Sequence, residues 1–246
     1  MTYHLGVNMS SPDFFLDSAR GVYNNISSVN KFGAVPAMSQ NNTGTVWDVN
    51  DTDYPWSAWA TATTVTVDRA SASDADKQLV IEGLDENYEA ATDTVTLTNA
   101  TGNASTQTFI RVFRAYMTNG SATNVGNVDI KVSTTVVARI TAGKCQTLMA
   151  IYTVPAGHSA YILKGVATCQ DGADATGDMF VRYFGESAFR VGHSFEVCGD
   201  GGPYDHSFGV PYKIPAKADI DVRATVRSNN ARITAAFDIM LIADKS

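Results

Sequence analysis

Cysteine is scarce in this sequence of 246 residues, and its spacing argues against two kinds of small stabilised domain. The three cysteines, Cys145, Cys169 and Cys198, lie far apart, and no C-x-x-C pair occurs. An odd number of cysteines without paired spacing argues against a disulfide framework and against a structural zinc site. We therefore expect small buried thiols in a reducing compartment, with a Cys145–Cys169 bridge as the main alternative.

Positive charge is limited as well. The chain has 18 Lys and Arg residues against 25 Asp and Glu residues, which gives a formal net charge of −7. No run of basic residues occurs, and the nearest approach is Arg111 with Arg114. Proteins that bind nucleic acids normally present a basic face to the phosphates, so we expect no nucleic-acid partner.

Long apolar runs are missing. No stretch reaches the roughly 20 apolar residues that a membrane-spanning helix needs, so we expect no membrane partner. Residues 1–12 have neither the basic start nor the apolar core of a signal peptide. We therefore expect no signal peptide and a chain that folds and assembles in the cytoplasm.

Catalytic motifs are not evident either. Asp205, His206 and Ser207 are consecutive, but neighbours on a strand point to opposite faces and cannot form a local catalytic triad. The sequence has no G-x-S-x-G motif and no glycine-rich phosphate loop between a strand and a helix. We expect no enzyme and no cofactor, although two carboxylates on facing strands could still meet.

Oxygen-bearing side chains cluster at Asp48, Asn50, Asp51 and Asp53, a density that could hold Ca²⁺. The EF-hand pattern fails because Asp53 stands at the glycine position and Trp59 at the glutamate position. Turn and capping roles are therefore favoured, since Asn and Asp side chains often bond the backbone two residues on. We expect no metal, and a Ca²⁺ ion near Asp48–Asp53 stays as the alternative.

What the sequence does have is strand patterning. Short β-branched or alternating segments recur through the first half and are bounded by turn residues, Asn119-Gly120 being the strongest hairpin signal. The segments are 63–68, 78–84, 93–98, 108–117, 126–132 and 135–140. About seven short strands at regular spacing are typical of a sandwich. We predict an immunoglobulin-like β-sandwich over residues 36–143.

The second half of the sequence also consists of short strand-like segments separated by turn residues. Residues 145–168 read as two strands joined by a tight turn at Pro155–Gly157, and we place this hairpin at the centre of the molecule. The last segment, 234–242, is apolar on both faces, which is typical of a strand in the middle of a sheet. We predict a second, jelly-roll-like sandwich over residues 144–246, and therefore an all-β protein of two consecutive sandwiches.

A short helix is the exception. Ser11 fits an N-cap, Pro12 the first helical position and Gly21 the C-terminal stop, so residues 1–35 are predicted to form an arm with a two-turn helix. A helix this short needs a surface to pack on. That surface is either its own β-domain or a neighbouring subunit. In the second case the assembly contacts include Phe14, Phe15 and Leu16.

All three tryptophans fall in one loop, as Trp47, Trp56 and Trp59, with Tyr54 between them. Such a cluster usually pins a long loop to a sheet because each ring buries a large apolar area. Stacking on a sugar ring is the functional alternative. We also count these four residues among the candidate assembly contacts.

Nearly the whole chain resembles virion-associated structural proteins of tailed bacteriophages, marine and cyanobacterial phages among them. The stretches that carry the resemblance are 13–21 (DFFLDSARG), 29–38 (VNKFGAVPAM), 46–56 (VWDVNDTDYPW), 84–97 (LDENYEAATDTVTL), 109–120 (FIRVFRAYMTNG), 143–157 and 218–229. Relatives mostly carry His before Lys-Phe-Gly, where this chain has Asn30.

The resemblance implies a component of the virion rather than a catalyst. The predicted role is capsid decoration or cementing of the head, with the major capsid protein or other virion proteins as partners and a homo-oligomer, such as a trimer, as the assembled form. A tail, neck or fibre-base component is the first alternative. A host-glycan-binding module is the second.

Overall fold

The computed structural model describes residues 14–118, 123–170, 173–199 and 202–244, and this part of the chain is almost entirely β-structure. One α-helix, α1 (Phe14–Ala19), precedes the strands, and two short 3-10 helices lie between them at Trp56–Ala58 and Ala72–Asp74. The strands are β1 (Ile26–Met38), β2 (Thr43–Thr45), β3 (Thr63–Arg69), β4 (Gln78–Leu84), β5 (Ala90–Thr96), β6 (Asn103–Phe109), β7 (Arg111–Met117), β8 (Val128–Val132), β9 (Thr135–Ile140), β10 (Ile151–Thr153), β11 (His158–Cys169), β12 (Ala175–Arg182), β13 (Arg190–Val197), β14 (Tyr204–Ile214), β15 (Asp219–Val226) and β16 (Ala231–Ala243). The predicted cap at Ser11, Pro12 and the Asn119-Gly120 turn lie outside the described residues.

The larger sandwich is a jelly roll. One of its sheets has the order β1-β16-β11-β14, and the other has the order β10-β15-β12-β13 with β2 also beside β15. If β2 and β10 together count as the second of eight strands, the two orders become 1-8-3-6 and 2-7-4-5, in which paired strands fold back on one another as in a jelly roll. The all-β, two-sandwich prediction is confirmed.

The smaller sandwich comprises β3 to β9. Its sheets have the orders β6-β3-β8-β9 and β5-β4-β7, a division of seven strands into four and three. Immunoglobulin domains also divide seven strands this way, but they place the first, second, fourth and fifth strands in one sheet. Here the first strand, β3, instead shares a sheet with the fourth, sixth and seventh. Each sandwich has its own hydrophobic core.

The smaller sandwich is inserted inside one strand of the larger one. Thr45, at the end of β2, lies opposite Arg223, and Ile151, at the start of β10, lies opposite Asp221. Residues 46–150 therefore leave and re-enter at neighbouring positions along β15. Val222 joins the two ends, since its carbonyl accepts from the Val46 amide at 2.8 Å and its amide donates to the Ala150 carbonyl at 3.1 Å.

Gly33 of β1 covers this crossing point. A Cβ atom on Gly33 would lie 2.0 Å from the Val46 carbonyl oxygen and 2.4 Å from the Ala150 nitrogen. Both are backbone atoms held by the Ala150 N–H···O=C Val46 bond of 2.9 Å, so they cannot move aside cheaply. Only glycine fits where the two sheets of the jelly roll approach at the insertion.

The predicted boundaries differ from the structure at the N-terminus. Residues 26–35, expected in the arm, form most of β1, which pairs with β16 from Ile26 opposite Ile242 to Met38 opposite Ala231. The jelly roll thus begins before residue 144, and its first strand comes from the other end of the chain. The inward residues of β1 include Lys31 and Gly33, so its apolar alternation is weak in the sequence.

The hairpin predicted for residues 145–168 is wrong, because its two strands belong to different sheets. β10 pairs with β15, whereas β11 pairs with β14 and β16. The turn at Pro155–Gly157 therefore carries the chain from one sheet to the other. The single strand expected over residues 108–117 is likewise two strands, β6 and β7, separated at Ile110 where the chain changes sheets.

Two sequence predictions, one about the last strand and one about the end of the helix, are confirmed. The C-terminal strand β16 lies between β1 and β11, in the interior of its sheet. Gly21 ends helix α1 with φ of 71°, where its amide donates to the Ser18 carbonyl and the Val22 amide donates to the Asp17 carbonyl. These two bonds form a Schellman motif, which needs the positive φ that glycine adopts readily.

Candidate functional site

Buried charges join the two sandwiches at the first residues of two strands. Arg111 begins β7 in the inserted sandwich, and Asp219 begins β15 in the jelly roll. Arg111 Nε donates to Asp219 Oδ1 at 2.9 Å, and Nη2 donates to Oδ2 at 3.1 Å. Arg182 donates to Oδ2 at 2.6 Å and the Thr153 hydroxyl donates to Oδ1 at 2.7 Å. One carboxylate is thus shared by two guanidinium groups.

A second buried carboxylate, Asp221, lies two residues along the same strand. It accepts hydrogen bonds from Trp56 Nε1 at 2.9 Å, from the Thr45 hydroxyl at 2.8 Å and from Arg223 Nε at 2.9 Å. Burial raises the pKa of Asp221, and the charge of Arg223 and these donors oppose that rise. Because Trp56 belongs to the inserted segment, this second carboxylate also ties the two sandwiches together.

Aromatic rings fill the space around these ion pairs. The guanidinium groups of Arg111 and Arg182 each lie 5.4 Å from the ring of Trp56. Phe189 packs on Trp56 at 5.5 Å, and Arg182 lies 4.6 Å from the Phe189 ring. Cation–π contacts of this kind strengthen when they are shielded from water. We call the group of Trp56, Arg111, Arg182, Asp219 and Asp221 the junction network.

The predicted aromatic contacts lie inside the protein. Trp47, Tyr54, Trp56 and Trp59 are at most 8% exposed. Tyr54 packs edge to face on Trp47 at 5.2 Å and on Trp56 at 4.7 Å, and Trp59 Nε1 donates to the Tyr54 hydroxyl at 2.8 Å. Buried rings cannot stack on a sugar or face a neighbouring subunit, so their expected contact role is corrected. They pin the loop to the core.

The helix residues are placed differently. Phe14, Phe15 and Leu16 are 38%, 59% and 53% exposed. Phe14 packs on Tyr23 at 5.5 Å, whereas Phe15 lines a groove between α1 and the outer face of the sheet that contains β1, β16 and β11. The groove also contains Asn30, which donates to Asp238 across β1 and β16. These three residues lie where a neighbouring molecule could reach them.

The acidic loop uses its oxygen atoms within the protein. Asn50 accepts from the amide and the hydroxyl of Thr52, Asp51 accepts from the Ser39 amide, and Asp53 pairs with Arg223. The predicted turn role is confirmed for Asn50, whereas Asp51 bonds a distant segment and Asp53 forms an ion pair. Among the described residues, no group of three or more His, Cys, Asp or Glu side chains converges as a metal site.

Asp48 stands apart from the rest of that loop because it is buried. Its carboxylate accepts from the Thr141 hydroxyl at 2.8 Å. Burial raises the pKa of Asp48 to about 6, against the lowering effect of this hydrogen bond. Asp48 joins the start of the inserted segment to the end of the inserted sandwich.

The remaining candidates are separated from one another. Asp205 pairs with Lys164, while His206 stacks on His193 with a ring distance of 4.8 Å, so Asp205 and His206 do not act on one another as a triad. Cys145 and Cys169 are free thiols that pack on different cores, so the bridge is excluded here. Cys145 and Cys169 are only half-buried and Cys198 is exposed, so the expectation of small buried thiols is wrong.

Sequence reasoning missed the junction network altogether. Arg111 and Asp219 are separated by 108 residues, and neither stands in a recognisable motif. The available signal was an Arg and an Asp at the beginnings of apolar strands, which is too common to single out. No helix in the described part of the chain is long and apolar enough to cross a bilayer.

No protein-family model and no curated protein matches this chain. Among solved structures, the chain is similar to infectious bursal disease virus VP2 in its subviral particle, with a TM-score of 0.22, 8% identity, and coverage of 89% of this chain and 72% of that chain. It is also similar to the structure of the infectious bursal disease virus Gt strain, with a TM-score of 0.19, 8% identity, and coverage of 90% and 78%. Likenesses this distant carry no argument about function.

Proposed function

We propose that this protein is a structural component of a virion, and that it decorates or cements the head of a tailed bacteriophage. The observation that carries the proposal is the architecture of the molecule. A jelly roll holds a second sandwich inside one of its own strands, and the junction network joins the two. Jelly rolls build viral capsids but also lectins and cupins, so the fold alone is an analogy.

The sequence resemblance to phage virion proteins supports the viral alternative over the other jelly-roll classes. The junction network supports a mechanical role in an assembled particle, because buried and mutually bonded charges resist relative motion of the two sandwiches. The exposed Phe15 and Leu16 supply apolar area on α1 that a neighbouring capsid protein or a second copy of the chain could cover.

A glycan-binding module is the alternative function outside the virion-structural class. The structure weakens the sequence argument for it. The tryptophans that suggested sugar stacking are buried in the core of the inserted sandwich. A sugar site would therefore have to use other residues than these tryptophans. A tail, neck or fibre-base component uses the same architecture at lower copy number.

Quantitative mass spectrometry of purified particles tests the proposal. The ratio of this chain to the major capsid protein is the measured quantity. A ratio near one copy per capsid subunit or per capsomer supports decoration of the head. A far lower but fixed ratio supports the neck, tail or fibre base. Absence from the particle overturns the structural role in all its forms.

A further inference from the structure

A cavity of about 420 Å³ opens between the two sandwiches, on β1 and away from the junction network. Its walls come from β1, from β4 and β7 of the inserted sandwich, from residues 146–147 and from β10. The lining includes Val29, Lys31, Glu82, Phe113, Arg114 and Tyr152. Polar side chains make up most of the lining, and Val29, Phe32 and Phe113 supply its apolar part. A cavity of this size and mixed character suits a small amphipathic ligand.

Lys31 is a buried amine on this wall. Its side chain points inward from β1, the residue is only 6% exposed, and its Nζ donates to the Phe113 carbonyl. An ammonium has three donors, and within the described residues this carbonyl is the only hydrogen-bond acceptor of Lys31. Spare donors on a buried cation are costly unless something else accepts them.

Tyr152 supplies a second polar group with no protein partner. The residue is 3% exposed, yet its hydroxyl makes no hydrogen bond to any described residue. No buried side-chain oxygen or nitrogen in the described part of the chain is without a partner, so the Tyr152 hydroxyl must open onto the cavity. Lys31 and Tyr152 therefore offer donors to the same cavity.

Two charged side chains of the inserted sandwich, Arg114 and Glu82, lie near Lys31 at the cavity. Arg114 of β7 and Glu82 of β4 pair with each other at 3.3 Å, which leaves the net charge at the cavity positive when Lys31 is protonated. Burial and Arg114 lower the pKa of Lys31 to about 7, while Glu82 opposes that change. A bound anion would return the charge partner that burial removed. Apolar surface from Val29 and Phe113 completes the lining.

We propose that this cavity binds a small monocarboxylate with an apolar body, its carboxylate accepting from Lys31 Nζ and the Tyr152 hydroxyl. The apolar body would lie against Val29 and Phe113. The site goes beyond a role in the virion, since nothing in it depends on where the protein resides. An uncharged alcohol of the same shape could accept a hydrogen bond from Lys31 but would supply no countercharge, so the carboxylate is the deciding group.

Isothermal titration of the full chain with sodium hexanoate tests this inference, with 1-hexanol as the uncharged probe of similar length. At about pH 6 we expect saturable binding of one hexanoate per chain and binding of hexanol that is at least about tenfold weaker, because the alcohol carries no countercharge. At about pH 9 the affinity should fall at least about tenfold because Lys31 is then neutral.

Variants assign the binding to the two donors. Lys31→Met should weaken hexanoate binding by about tenfold or more, and Tyr152→Phe should weaken it while retaining the pH dependence that Lys31 confers. Lys164→Met, which removes an exposed lysine elsewhere on the jelly roll, should bind as the wild type does. Equal binding of hexanoate and hexanol, unchanged binding by the folded Lys31→Met variant, or no saturable binding would each overturn the proposal.

Discussion

Arg111 and Asp219 meet across the junction of the two sandwiches in a buried, two-point contact, with Nε–Oδ1 at 2.9 Å and Nη2–Oδ2 at 3.1 Å. One residue begins a strand of the inserted sandwich and the other begins a strand of the jelly roll. A planar guanidinium fixes both the distance and the angle of its carboxylate partner. The pair therefore holds the two sandwiches in one orientation.

Asp219→Asn should be strongly destabilising, because it leaves Arg111 and Arg182 without their shared countercharge in a buried site. Breaking a buried charge group from one side typically costs about 3–5 kcal/mol. Chemical denaturation of the variant and the wild type measures the difference. Asp205→Asn is the matched control, since its exposed pair with Lys164 should contribute at most about 1 kcal/mol. Equal losses in the two variants would contradict the proposed role of the junction.

Gly33→Ala should also be severely destabilising. The added methyl would overlap the Val46 carbonyl oxygen at the insertion point, and overpacking against fixed backbone costs about 3 kcal/mol or more. Gly209→Ala in β14 is the control, because nothing lies within 4 Å of its Cβ position. Thermal unfolding of both variants measures the difference in stability. A Gly33→Ala protein as stable as Gly209→Ala would show that the two strand ends at the insertion can separate.

Lys31 should make stability depend on pH in a specific direction. Burial lowers the pKa of Lys31 in the folded state to about 7, while the unfolded chain keeps the ordinary value of 10.5. Between these values only the unfolded state holds the proton, so the free energy of unfolding rises with pH from about 7 to about 10. The penalty is fully present below about pH 7, where it amounts to about 5 kcal/mol at most.

Lys31→Met should therefore be more stable than the wild type near pH 6, and the difference should shrink as pH rises toward about 10. Denaturation midpoints measured across this range give the comparison, with Lys164→Met as the exposed control. A Lys31→Met variant that loses stability near pH 6 would mean that the lysine is well paired in the folded protein.

Phe15→Ser should leave the fold intact and impair assembly. The side chain is 59% exposed, and surface substitutions away from special features usually change stability by no more than about 0.5 kcal/mol. Its incorporation into particles, measured against the wild type in a competition, should fall. Val210→Ser removes another exposed apolar side chain, at 85% exposure, and should be incorporated normally. Normal incorporation of Phe15→Ser would remove α1 from the list of contacts.

Local sequence patterns predicted a strand well where the strand's own residues alternate between apolar and polar side chains. Gln78–Leu84 and Thr135–Ile140 appear at their predicted bounds because β-branched and apolar residues alternate within them. Strand β16 was placed in the interior of a sheet because both of its faces are apolar. These features depend on neighbours in the sequence alone.

Long-range relationships were out of reach. β1 escaped notice because Lys31 and Gly33 occupy inward positions that a strand normally gives to apolar residues, and the reasons for both lie in the inserted segment. Lys31 lines the cavity between the sandwiches, and Gly33 faces Val46. Pro155–Gly157 looked like a hairpin turn because a turn between sheets uses the same residues as a turn within one.

A cryo-electron microscopy reconstruction of the purified particle tests the proposed virion role most directly. The two joined sandwiches should fit repeated density on the particle, with Phe15 of α1 covered by a neighbouring capsid protein or by a second copy of the chain. A complete reconstruction of head and tail with no density for the jelly roll and its inserted sandwich would contradict the proposed role.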